Sequence, residues 1–241
     1  MCTVSFISAD NKKIITSNRD EHVQRPKAYA PDVEVLNNKK IIFPKDSKAG
    51  GTWFAAADNG VVAVLLNGGF VKHIPAPPYK KSRGLILLDI IESDNPLSFY
   101  KELNLYGIEP FTLVLYQYSI LHELRWDGKD KHELLLDNSG NYIWSSATLY
   151  TGEAIRHRKN LFDRFIAGTK TITPGLVHQF HSNSHEDEEN GFVINRQTGL
   201  KTFSITQAVL HNKTIDFSHT DLLQHQQYEE TMHISPVPVN L

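Results

Sequence analysis

Cys2 is the single cysteine of this 241-residue chain and directly follows Met1. A small residue at position 2 permits removal of the initiator methionine, which would leave a free α-amine beside the thiol. An α-amine titrates near about 7.7–8.0, so it can take the thiol proton and serve as the general base of its own nucleophile. Such a nucleophile needs no histidine, but it needs groups that hold the amine, favour the thiolate and stabilise an oxyanion. The run Asn18-Arg19-Asp20-Glu21 offers the right types. A guanidinium beside a sulfur lowers its pKa, and a carboxylate holds an ammonium. The bland alternative is a small buried apolar cysteine with the charged run in solvent.

Hairpin arithmetic brings these two segments together. Thr3 to Ser8 alternates polar with apolar, Ile14 to Ser17 resumes the pattern, and Asp10-Asn11 lies between them. A turn about Asp10-Asn11 makes opposing residue numbers sum to 21, so residue 19 faces residue 2. A loop one residue shorter or longer shifts that partner to 18 or 20. Strand alternation sends Asn18 and Asp20 to one face and Arg19 and Glu21 to the other. Which pair faces Cys2 is left open at this level.

The remaining chain reads as strands, two helices, strands, helices, strands. Hairpins are expected at Asn37-Asn38 and at Asp58-Asn59-Gly60, between 52–56 and 61–66. One helix starts near Arg83, and a second starts at Pro96 with Asn95 as its cap. Strands follow at 111–118, 120–126, 133–136 and 142–145, the last two as a pair turning at Asn138-Ser139-Gly140. A helix over 153–167 and a helical patch over 175–180 come next, and His181 to Asn190 reads as an exposed acidic loop. Strands at 202–210 and 214–217 precede an extended tail at 235–238. Segregated runs of this kind argue an α+β layered fold, and no linker divides the chain, so one domain over 1–241 is expected.

Bulk properties exclude several function classes. Net charge is −2, which gives no global field for nucleic acid or an anionic membrane. No apolar run reaches the roughly 18–20 residues that span a bilayer, and the first residues lack a signal peptide pattern. With one cysteine and no leader, a reducing, cytoplasmic location is expected. No cofactor is expected. His178, His181 and His185 follow no tight metal-ligand spacing and read as loop residues. Lys80-Lys81-Ser82-Arg83 reads as a solvated helix start, with an anionic substrate group as the sharper alternative. Trp53 and Phe54 are candidates to line a pocket, and the proline-rich stretch from Phe70 to Tyr79 is a candidate lid.

Several of these blocks occur together in one family. Met1-Cys2-Thr3, Asn18-Arg19-Asp20-Glu21, Arg25-Pro26, Gly50-Gly51-Thr52-Trp53 and Leu65-Leu66-Asn67, in this order over about the first 70 residues, resemble the NRDE family, also called the Transport and Golgi Organisation 2 family. That family looks related to N-terminal-nucleophile hydrolases of the choloylglycine hydrolase and penicillin V acylase type. The resemblance implies a four-layer α-β-β-α sandwich of two mainly antiparallel sheets, and amidohydrolase activity on a small substrate with Cys2 as nucleophile. It matches Asn67 to an oxyanion donor, a role suited to a side-chain amide aimed at developing charge. Asn18, Arg19 and Asp20 join the catalytic candidates, and Glu21 and Trp53 are the substrate-binding candidates.

The chain also departs from the hydrolase pattern. Measured from Cys2, Asn18 and Glu21 hold the offsets where those hydrolases keep arginine and aspartate. Trp144-Ser145-Ser146-Ala147 stands where relatives show Leu-Ser-Asn, and Phe203 stands at an expected arginine. A non-catalytic carrier of a hydrophobic ligand, lipid or haem, is the competing reading, drawn from family associations.

Overall fold

The computed structural model describes residues 3–235. Cys2, the predicted nucleophile, lies outside the described residues, as does the tail beyond Ser235. Strands β1 (Thr3–Ala9), β2 (Lys12–His22), β3 (Tyr29–Leu36), β4 (Lys39–Lys45), β5 (Phe54–Ala57) and β6 (Val62–Asn67) lead into helices α1 (Arg83–Glu92) and α2 (Pro96–Glu102). Strands β7 (Phe111–Gln117), β8 (Ile120–Trp126), β9 (Lys131–Leu136) and β10 (Tyr142–Ser145) follow. Helices α3 (Gly152–Gly168) and α4 (Pro174–His181) precede β11 (Leu200–His211), β12 (Thr214–Asp221) and β13 (Gln226–His233).

The strands form two antiparallel sheets, ordered β10-β1-β2-β11-β12-β13 and β3-β4-β5-β6-β7-β8-β9. Turn chemistry sets much of this register. Asp10-Asn11, Asn37-Asn38, Tyr118-Ser119 and Asn212-Lys213 all have both residues at positive φ, the two-residue turn whose twist matches the flanking strands. The first turn gives Thr3↔Asn18 and Val4↔Ser17, the expected sum of 21.

Alternation then sorts side chains into layers. Val4, Phe6, Ile15, Phe54, Val64 and Phe217 meet between the two sheets. Ile86, Leu87, Ile90 and Tyr100 of α1 and α2 cover the outer face of the seven-stranded sheet against Leu65, Phe111 and Leu113. Phe162 of α3 and Val177 and Phe180 of α4 cover the other sheet against Ile7, Ile14 and Val209. The result is the expected α-β-β-α stack. Helix starts follow the expected caps: Ser82 accepts the Leu85 N–H, and Asn95 accepts the Ser98 N–H with Pro96 behind it.

Two expectations fail. β9 and β10 are not a pair: β9 is an edge strand on β8, whereas β10 joins β1 in the other sheet. The turn at 137–140 carries the chain between sheets instead of closing a hairpin. Strand β13, paired with β12, was not anticipated, because its alternation is mostly polar.

His181 is a third departure: it is fully buried, not part of an exposed loop. The Asn18 Nδ2 amide donates to the His181 and Phe192 carbonyls, both at 2.9 Å, which orients the amide. Its Oδ1 therefore accepts from His181 Nδ1, and His181 Nε2 accepts from Ser5 Oγ at 2.7 Å. This ties α4 to β1 and β2 through a neutral imidazole. Burial, with the nearby charges of His178, Arg158 and His185, pulls His181 down to about 3.

In the unfolded chain a histidine titrates near about 6.5, so below that pH the unfolded state binds a proton that folded His181 refuses. Stability should therefore fall as pH drops from about 6.5 toward 3, at a limiting slope of about 1.4 kcal/mol per pH unit for this group. Urea unfolding at pH 7, 6 and 5 checks this. His181→Gln should be less stable at pH 7 but show a shallower pH dependence than the parent; an equal slope would contradict a buried neutral His181.

Candidate functional site

The polar end of β2 is buried on both faces, and its side chains alternate between two surroundings. Asn18 and Asp20 point to the helical layer of α3 and α4. There Asp20 accepts from Thr202 Oγ1 at 2.6 Å and from the Tyr150 hydroxyl at 2.7 Å. The Tyr150 ring in turn lies 3.5 Å from the guanidinium carbon of Arg158, a fully buried α3 residue that donates to Thr3 Oγ1 and to the Asn190 carbonyl. Arg19 and Glu21 point the other way, into a cleft of ≈ 520 Å³.

Arg19 is held by three groups. Its Nη2 donates to Asp46 Oδ2 at 2.9 Å, its guanidinium lies 4.3 Å from the Trp53 ring centre, and Phe203 lies 5.6 Å away on the same cation. Burial pushes Arg19 below its ordinary value, with Glu21 and Asp46 working against that shift. Asp46 is the hub. It accepts two further bonds from Arg25, both at 3.0 Å, and the N–H groups of Lys48 and Ala49 cap its Oδ1. Burial alone would raise the Asp46 carboxyl, but the Arg25 bonds, the Ala49 N–H and the two guanidinium charges outweigh it and hold it below the usual carboxylate range.

The Gly50-Gly51-Thr52-Trp53 segment has a steric reason for Gly51 and a conformational one for Gly50, whose φ is +71. A Cβ on Gly51 would lie 2.3 Å from the Gly84 carbonyl carbon, and one on Gly84 would lie 2.8 Å from the Thr52 oxygen. Only two glycines let this loop touch the first turn of α1, where the Thr52 N–H donates to the Gly84 carbonyl at 3.2 Å. That contact sets Trp53, 2% exposed, against Arg19 and brings Lys81, Ser82 and Arg83 to the opposite wall. Arg83 pairs with Glu109 at 2.9 Å, and His73 reaches the same carboxylate at 3.1 Å, which anchors the 70–79 stretch beside the cleft.

Asn67 ends β6 on the same cleft. The turn that follows it is stiffly built: Ser146 Oγ donates to the Asn67 carbonyl at 2.8 Å, and Thr112 Oγ1 to the Gly68 carbonyl at 2.9 Å. Gly68 has φ +87, which a β-carbon would strain.

Of the residues singled out from sequence, Arg19, Glu21, Trp53 and Asn67 therefore meet in one cleft, with Tyr79 of the candidate lid among its lining. Asn18 and Asp20 sit behind the sheet. Asp46, Arg25, Arg83 and Glu109 were not anticipated as a charged framework; Asp46 follows Pro44-Lys45 with no motif to mark it, and only its long-range ion pairs reveal it. The basic patch at 80–83 is not a plainly solvated helix start, since Lys81, Ser82 and Arg83 line the cleft and Arg83 is ion-paired there. Among the described residues, no group of three or more His, Cys, Asp or Glu side chains is placed to hold a metal ion, and no helix is long and apolar enough to cross a membrane.

Asp46→Ala should leave Arg19 with only Glu21, 3.9 Å away, and cost about 3 kcal/mol in urea unfolding at pH 7. Because the folded-state carboxyl is held low, this stabilisation should be complete above about pH 4 and disappear as pH falls through the folded-state pKa. Parent and variant should thus converge in acid; a constant gap down to pH 2 would contradict the assignment.

Comparison with solved structures gives the fold its relatives. A mutant of the conjugated bile acid hydrolase from Clostridium perfringens is similar at a TM-score of 0.56 and 10% identity, covering 100% of this chain and 95% of that one. The Caenorhabditis elegans ortholog of N-acylethanolamine-hydrolyzing acid amidase is similar at 0.60 and 9% identity, covering 86% and 92%. A second variant of the bile acid hydrolase is similar at 0.55 and 10% identity. The fold is thus of the N-terminal-nucleophile hydrolase type. A comparison with curated proteins finds no match. The family model for Transport and Golgi organisation 2 matches residues 1–231, and the chain belongs to that family.

Proposed function

We propose that this protein is an N-terminal-nucleophile amidohydrolase that cleaves a C–N amide bond of a small substrate, with Cys2 as nucleophile after loss of Met1. The observation that supports this most is the convergence of Arg19, Glu21, Trp53 and Asn67 on one cleft beside the start of the β1–β2 hairpin. The register Thr3↔Asn18 keeps the sum of 21 from which the sequence pairs residue 2 with residue 19.

In this reading the Cys2 thiol passes its proton to its own α-amine as sulfur bonds to the amide carbonyl carbon. Arg19 favours the thiolate, and the Asn67 amide donates to the oxygen as it takes negative charge. The C–N bond then breaks, the departing nitrogen takes the proton from the α-ammonium, and water hydrolyses the thioester to release the acid and regenerate the thiol. Glu21 and Trp53 contact the substrate. Asn18 and Asp20 act indirectly, by fixing the sheet from behind.

Intact-mass analysis combined with iodoacetamide labelling tests this reading. The mature chain should begin at Cys2, and its thiol should alkylate at pH 7 at least tenfold faster than that of the Arg19→Met variant. A chain that retains Met1 throughout would remove the amine as the base and sink the mechanism.

A further inference from the structure

The walls of the cleft carry information about what can enter it. Four cations reach it, Arg19, Arg25, Lys81 and Arg83, against three carboxylates, Glu21, Asp46 and Glu109. Asp46 is shared by Arg19 and Arg25, and Glu109 is taken by Arg83 and His73. The carboxylate that pairs with Lys81 is Asp89, on the second turn of α1 and outside the lining. The lining thus has one more cation than anions, and it includes the positive, N-terminal end of α1. Exposure grades along it: the Arg19 side chain is 3% exposed, Arg25 30% and Lys81 38%. The charge that solvent and ligand reach most easily is therefore at the rim.

We propose that the cleft takes a small hydrophilic amide bearing a carboxylate, seated with that carboxylate at Lys81 and Arg25, and that it rejects steroid and long-chain acyl groups. The inference rests on the amidohydrolase reading for its orientation, with the amide carbonyl at the deep end near Arg19 and Asn67. Its selectivity follows from desolvation. An acyl chain laid along these walls would strip water from several ion pairs and return no hydrogen bonds, which disfavours its binding. A carboxylate at the rim instead gives Lys81 a second anionic partner beside Asp89 and adds one to Arg25, and hydroxyl or amide groups can bond the side chains of Tyr79 and Glu21. The volume, ≈ 520 Å³, is ordinary for a small-molecule site.

Calorimetric titration of the Cys2→Ala chain separates binding from turnover. The probes are N-acetylglycylglycine, its uncharged C-terminal amide, glycocholate and oleoylethanolamide. The acid should bind about tenfold more tightly than its amide, and glycocholate and oleoylethanolamide should bind more weakly than both. Lys81→Met should close the gap between acid and amide while leaving the unfolding midpoint in place. If that variant misfolds, the acid–amide comparison on the Cys2→Ala chain alone still decides. Tighter binding of glycocholate or oleoylethanolamide, equal affinity for acid and amide, or no binding of the acid would each overturn the proposal. Turnover by the unsubstituted protein is read separately. Selective binding of the acid with no amide cleavage supports this cleft assignment and counts against the amidohydrolase reading, whereas cleavage of glycocholate in preference to the acid does the reverse.

Discussion

Strand β2 is buried on both faces and yet carries Asn18, Arg19, Asp20 and Glu21, so each polar side chain must be satisfied inside the protein or at its cleft. An unpaired charge in such a place costs several kcal/mol, and most of the surrounding architecture answers that requirement. On one side, α4 presents its last carbonyl and His181 to Asn18, while Thr202 and Tyr150 meet Asp20. On the other, the 46–51 loop brings Asp46 to Arg19 and wraps its own N–H groups around the same carboxylate. The central strand is thereby locked from both layers at once.

That double locking shapes the cleft. Asp46 binds Arg19 from β2 and Arg25 from the chain just after it, and the loop it caps leads directly into Gly51. Gly51 meets Gly84 at backbone contact distance, which couples the loop to the first turn of α1 and the opposite wall. Trp53 then lies on the Arg19 guanidinium as a rigid, largely dry surface, where a cation over an indole face is worth about 0.5–2 kcal/mol. Charged side chains here are part of the frame, since each is fixed by a named partner before any ligand arrives.

The departures from the hydrolase pattern find structural places. Phe203, at the position where the family resemblance leads one to expect arginine, lies at the β-bulge between Thr202 and Ser204, and its ring faces Arg19. An aromatic there removes a like charge from beside Arg19. Ser146, at the position where relatives show asparagine, bonds the Asn67 main chain. It buttresses the turn at the end of β6, so Asn67, a residue of the cleft lining, is held there by its backbone.

Much of the fold is legible in the chain because its signals are local. Asp10-Asn11 and Asn37-Asn38 dictate two-residue turns, alternation assigns the faces of β1 and β2, and Ser82, Asn95 and Pro96 mark helix starts. The pairing arithmetic needed nothing beyond the length of one turn. Tertiary structure alone decided the rest: that β9 and β10 part to different sheets, that His181 and Arg158 are buried, and that Asp46, Arg83 and Glu109 join the residues of the motifs. These are contacts between groups tens of residues apart, and neither composition nor period encodes which carboxylate a guanidinium will meet. The sequence by itself determined which residues β2 turns to each side; only the packed sheets and helices decided that Arg19 and Glu21 look into a cleft while Asn18 and Asp20 look into the protein, because that depends on which layer closes over which face.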